Sequence, residues 1–286
     1  MKLSCNTSLF NQLDLYGALQ HIAWAGYDGV NLSFQEIICR HLELNTNQSY
    51  IDEVKYTAKK HGMELFAIPS GWGPGFENLL DEDKIKLLKK VFDMACKLNI
   101  PVVAVRTFGK SGNKEETKKQ FKYVTKLCEQ AESRGITLAV KPHINASVYN
   151  IATTIQMLDE IDSPALGVNL DAFQLYKVGE DPAAAVLKFG SKIAHVDFAD
   201  AQKALQLGPP EPGYDQIPGR NDMDFPKIIR HLKDTGYDKS INVNVTCNLP
   251  IPIPGQIPYT LSRLMGIAAE ARGYLNRCLQ ELKIGE

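Results

Sequence analysis

The chain has 286 residues, 44% of them hydrophobic, and a formal net charge of −1 from 32 basic and 33 acidic residues. That balance, with no basic stretch, argues against a nucleic-acid partner, and no run approaches the roughly 20 apolar residues of a membrane-spanning helix. The start, MKLSCNTSLF, lacks the apolar run of a signal peptide, and the six cysteines form neither a CxxC pair nor a zinc spacing. Reduced thiols in a cytoplasmic protein are therefore expected, with no membrane association.

Short apolar or β-branched runs alternate with helical patterns along the whole chain. The strand candidates are 2–8, 28–34, 63–69, 101–108, 136–143, 165–171, 193–200 and 240–246. Between them, runs such as 81–98 and 114–135 repeat apolar residues at helical spacing, and a last run over 259–283 closes the series. Gly62, Gly135 and Gly236 each stand where a helix end wants a residue of positive φ before the next strand. The Pro/Gly-rich stretches 69–75, 208–220 and 249–258 read as long loops after strands. Eight β-then-α units fit either a closed barrel or a doubly wound open sheet. No phosphate-gripping glycine motif follows the first strand, as an open nucleotide-binding sheet would require. The expectation is therefore α/β, a single (β/α)8 TIM barrel domain over 1–286.

In such a barrel, function sits at the C-terminal ends of the strands, and a two-residue alternation selects the inward side chains. Lys141 and His143 share a face of the fifth strand, and His195 and Asp197 share one of the seventh. The eighth offers Asn242, Asn244 and Thr246, and the sixth ends in Asp171, with Gln174 just beyond. Asn31 comes from the second strand and Arg106 from the fourth. Arg106 suits a carboxylate or phosphate clamp, or an ion pair with a neighbouring strand-end acid. Trp72, in the loop SGWGPG, suits a platform for a sugar face, or simply packs on its loop.

The runs GYDGVNL (26–32), LAVKPH (138–143), GVNLDAFQL (167–175), IAHVDFADA (193–201), IPGRNDMDF (217–225) and GYDKSINVNV (236–245) resemble the xylose-isomerase-like superfamily of sugar isomerases, epimerases and dehydratases. The resemblance implies a divalent ion (Mn, Mg, Co or Zn) held by Glu, Asp, His and Glu from strands five to eight. Those four positions here carry Lys141, Asp171, Asp197 and Asn244. The pocket acid of strand two is matched by Asn31, and the sugar-binding His after the strand-six Asp by Gln174. Lys141, Asp171, Asp197 and Asn244 sum to the same charge, −1, as the usual set with its ion, which leads to the expectation that the Lys141 ammonium stands in for a lost metal.

Lys141, His143, Asp171 and Asp197 are then the catalytic candidates. His195, Asn244, Gln174, Asn31, Trp72 and Arg106 are the substrate-binding ones, and no metal ligand is assigned. The reading is an isomerase, epimerase or lyase acting on a small polyhydroxylated or carbonyl compound. Its rivals are a non-catalytic binder or partner subunit of another enzyme, and an altered metal site built from Asp171, Asp197, His143 and His195. The C-terminal helix leaves room for a homo-oligomer. The endonuclease branch needs a richer histidine cluster than six residues, three of them on helices, can supply.

Overall fold

A computed structural model of the chain describes residues 1–36, 38–44, 47–71, 74–202, 213–247 and 259–284. Eight parallel strands close on themselves: β1 (Lys2–Asn6), β2 (Gly29–Asn31), β3 (Glu64–Pro69), β4 (Val102–Arg106), β5 (Thr137–Lys141), β6 (Leu166–Asp171), β7 (Ile193–Phe198) and β8 (Ser240–Val243). They pair in chain order, and β8 returns to β1. A helix follows each strand: α1 (Leu15–Trp24), α2 (Gln48–Lys60), α3 (Asp81–Leu98), α4 (Lys114–Glu132), α5 (Ile151–Glu160), α6 (Pro182–Phe189), α7 (Phe225–Asp234) and α8 (Leu261–Ile284). This is the expected (β/α)8 TIM barrel. Among the described residues no helix is long and apolar enough to cross a membrane.

At several strand ends a particular residue turns the backbone. Asn6 accepts a hydrogen bond from Ser8 N and starts a helical turn over Thr7–Phe10. Pro142 follows the last residue of β5, and Asp171 caps the short helix Ala172–Lys177 by accepting from Gln174 N. After Asn31 the chain leaves the barrel for a small antiparallel pair, Phe34–Gln35 with Cys39–Arg40. Helix ends behave as expected, with Gly62, Gly135 and Gly236 at φ 65°, 64° and 79°. Asn99, at φ 58°, does the same work after α3.

The main core lies between the strands and the helices, where Val103, Val105, Leu138, Val140, Leu170 and Phe198 are all buried. A second, smaller apolar cluster of Ala67, Val102, Ala104, Ala139 and Ala194 fills part of the barrel interior. The facing part is polar, with Ser4, Asn31, Asn169, His195 and Asn242 all buried. Two bulges set this interior. The β2–β3 register slips between Val30 and Asn31, so that Phe66 is the extra residue, and β6–β7 slips between Val168 and Asn169, so that Ala194 is. Each bulge lies against a glycine. A Cβ on Gly29 would sit 2.4 Å from the Phe66 ring, and one on Gly167 would sit 2.6 Å from Ala194 Cβ.

Gly29→Ala is therefore expected to destabilise the protein by about 1–3 kcal/mol through overpacking. Gly266→Ala, at an exposed position of α8 where a Cβ would meet nothing within 4 Å, should stabilise it by about 0.5–1 kcal/mol. Urea denaturation of the two variants checks both signs.

Candidate active site

A pocket of about 570 Å³, partly open to solvent, lies at the C-terminal end of the barrel. Strand ends supply its polar groups: Arg106 from β4, Lys141 from β5, Asp171 from β6, and Asn244 just past β8. His143 and Gln174 reach it from the segments after β5 and β6. Seven of the predicted positions are thus within this pocket or directly beneath it on the Lys141 ion pairs. Trp72 lies outside the described residues.

The centre is an ion triad. Lys141 Nζ is 2.8 Å from Asp171 Oδ2 and 2.6 Å from Asp197 Oδ2. The side chains are 14%, 4% and 1% exposed, respectively, so the charges are shielded little by water. Burial opposes the ammonium, but the carboxylates of Asp171 and Asp197 more than offset it and hold Lys141 above the ordinary lysine range. The two carboxylates differ. Burial would raise Asp197, yet Lys141 and His195 hold it well below the usual carboxylate range. Asp171 is shifted upward by burial and by the Asp197 charge, against the pull of Lys141. Both Asp171 oxygens are engaged, since Oδ1 accepts from Gln174 N at 3.1 Å.

Asp197 rests on a buried layer of amides. Asn169 Nδ2 donates to its Oδ2 at 2.9 Å and Asn242 Nδ2 to its Oδ1 at 2.6 Å. His195 Nε2 stands 3.3 Å from Oδ1 and 2.9 Å from Asn31 Nδ2. Asn31 and His195, predicted to bind substrate, are 0% and 2% exposed and lie in this supporting layer rather than in the pocket wall. His195 instead borders a cavity at the opposite end of the barrel, beside Lys2, Glu64 and Lys239.

His143 lies beyond the end of β5, and its Nδ1 faces the Ile144 carbonyl oxygen. A carbonyl only accepts, so Nδ1 carries the proton and Nε2 the lone pair. Burial, with the Arg106 and Lys141 charges, pushes this imidazole down to about 3, so it is neutral at physiological pH. Arg106 forms an ion pair, but with Glu77 from the helical turn Pro74–Glu77 rather than with a strand-end acid. Gln174 Oε1 accepts from Ile144 N at 3.3 Å, and Asn244 Oδ1 accepts from Asn6 Nδ2 at 3.0 Å.

Sequence reasoning missed Asn6, Asn169 and Glu77. The first two are polar residues on inward positions of apolar strands, a signal the alternation carries. Glu77 comes from a loop and leaves no periodic trace. On the rim, Asp200 accepts from the backbone N–H groups of Ala201, Gly219, Asn221 and Met223, tying the segment around Gly219 to the end of β7.

Residues 19–263 match the family described as xylose isomerase-like TIM barrel. The chain belongs to that family. A curated relative, 3-dehydroshikimate dehydratase of Bacillus anthracis, is 24% identical over 267 residues, covering 84% of this chain and 90% of the relative. The structure of an L-ribulose 3-epimerase superposes with a TM-score of 0.78 at 14% identity, covering 99% of this chain and 96% of that one. An IolI protein solved with a bound zinc atom superposes with a TM-score of 0.72 at 18% identity, covering 98% and 97%. At these identities the structural likeness establishes the fold.

Removing the ammonium leaves two buried carboxylates facing each other. Lys141→Met is expected to cost about 3–5 kcal/mol at pH 8. Without the cation both carboxyls rise above their unfolded values, so the variant's deficit shrinks as pH falls toward 5. Urea titrations of wild type and variant at the two pH values check the size and the sign.

Proposed function

We propose that the protein is a metal-independent member of its family that moves a proton next to the carbonyl of a small polyhydroxylated compound, with Lys141 as its fixed cation. The observation that carries this reading is the Lys141 ammonium, bridged to Asp171 and Asp197 at 2.8 and 2.6 Å while lining the pocket beside His143. An ammonium has three N–H bonds. Two meet carboxylates, leaving a third for an oxygen in the pocket.

The donor set does not fit a divalent ion. Lys141 brings positive charge without a lone pair, and Asn244 is neutral, its oxygen already accepting from Asn6. Both oxygens of Asp197 are taken by Lys141 and the amides. Among the described residues no three His, Cys, Asp or Glu side chains cluster as a metal would require. The altered metal site of Asp171, Asp197, His143 and His195 is disfavoured on the same ground, since His195 points into the supporting layer.

The chemistry follows from two groups. His143 Nε2 takes a proton from the carbon beside the substrate carbonyl, the C–H electron pair becomes the new C=C bond, and the C=O π pair moves onto the carbonyl oxygen. The third Lys141 N–H stabilises that oxyanion, as fixed donors do in a water-poor site. Protonation of the opposite face by water entering the partly open pocket gives an epimer, with the His143 proton released to solvent. Where the reacting carbon bears a hydroxyl, transfer of its O–H proton to the enolate oxygen and delivery of the His143 proton to the former carbonyl carbon give an isomer. Schiff-base chemistry at Lys141 is disfavoured because the flanking carboxylates keep the amine protonated. One observation favours binding without turnover: the low basicity of His143, held at about 3.

Incubation with ketoses, cyclitol ketones and hydroxylated cyclic enones in D2O separates the readings. An enzyme places deuterium beside the carbonyl of one class, and both His143→Ala and Lys141→Met abolish it. If binding is measurable, no exchange occurs and the variants alter affinity alone, the protein is a binder. Chelator-treated protein should keep full exchange, and loss restored by Mn²⁺ or Co²⁺ would overturn the metal-independent reading. Because His143 is already in its accepting form, the rate should show no acid limb near 6.5 and should fall only as pH approaches about 3.

A further inference from the structure

Asp197 is held by more groups than a counter-ion needs. Its two oxygens receive one amide each, from opposite sides: Asn169 on β6 and Asn242 on β8, the strands that flank β7. Asn242 and Asp197 are register partners, and the slip between Val168 and Asn169 brings Asn169 opposite His195, one inward position below Asp197. Both amides are completely buried.

Their orientation is informative. An amide has a donor end and an acceptor end, whereas an ionised carboxylate only accepts. Both asparagines turn Nδ2 toward Asp197, and this leaves Asn169 Oδ1 and Asn242 Oδ1 buried with no hydrogen-bond partner among the described residues. Leucine has nearly the same shape and would fill the same space without an orphaned oxygen. Two buried acceptors are left unsatisfied for the sake of one carboxylate.

We infer that Asn169 and Asn242 are positioning residues that lock the Asp197 carboxylate in the rotation at which it fixes the Lys141 ammonium. The inference rests on the reading of Lys141 as the standing cation of the site. Lysine has a flexible stem, so Nζ is located only by what grips it. Asp171 is itself fixed by Gln174 N, whereas among the described residues Asp197 is held by side chains, the two amides, His195 and Lys141, with no backbone donor. The amides thus do for Asp197 what a helical turn does for Asp171.

The test follows hydrogen exchange of the Lys141 ammonium in protein labelled with 15N-lysine, the resonance being assigned by its loss in Lys141→Met. Wild type should show a slowly exchanging ammonium signal. Asn242→Leu and Asn169→Leu should each accelerate its exchange by about tenfold or more, with the melting temperature held within a few degrees. Asn242→Ser, which restores a donor, should recover part of the protection. Should Asn242→Leu fail to fold, Asn242→Ser and Asn242→Ala decide: slow exchange with the hydroxyl and fast exchange with alanine support the inference, and equal exchange overturns it. A Lys141 signal indifferent to every amide variant overturns the positioning role alone. A wild-type protein with no ammonium signal that Lys141→Met removes overturns both this role and the standing-cation reading.

Discussion

One ammonium between two buried carboxylates is the constraint to which the upper half of the barrel answers. Lys141, Asp171 and Asp197 come from three consecutive strands, so their meeting is a direct product of parallel pairing and side-chain alternation. Left uncompensated, any one of these charges would cost several kcal/mol in so dry a place. Each therefore has its own support: Asp171 takes a backbone N–H from the turn it caps, Asp197 takes two amides, and Lys141 takes both carboxylates. The neighbouring His143 stays neutral because burial and the adjacent cations leave no room for another positive charge.

Much of this arrangement was legible in the residues alone. Eight alternating units, helix-ending glycines and the absence of a nucleotide-binding glycine motif lead to the barrel, and the period of two leads to Lys141, Asp171 and Asp197 converging. The level of each residue along the barrel axis was not legible. His195 and Asn31 share the inward face with the triad, but alternation says nothing of height, and they lie one layer down, facing each other, with His195 also against Asp197. The bulges at Phe66 and Ala194 were equally hidden, because an extra residue in a strand leaves the apolar pattern nearly intact. Partners from loops, such as Glu77 on Arg106, depend on tertiary folding that no local pattern encodes.

The interior of the barrel is divided by chemistry. Ala67, Ala104 and Ala139 make one wall from β3, β4 and β5, while asparagines and His195 make the other. Alanine lends volume without demands, and the amides lend direction without charge. The structural relatives share the fold at 14–18% identity, a range in which the backbone persists while the groups that do the chemistry are free to change. Here the charges are matched across strands: the ammonium on β5 meets carboxylates on β6 and β7, and amides hold the β7 carboxylate from beneath.

Strand β7 also bears on how the mouth of the barrel is built. Three residues after Asp197, Asp200 gathers the backbone N–H groups of Ala201, Gly219, Asn221 and Met223. Floor and parapet of the cleft therefore hang from one short stretch of chain. A shift of that stretch along its own axis would move the Asp197 carboxylate and the Gly219 segment together.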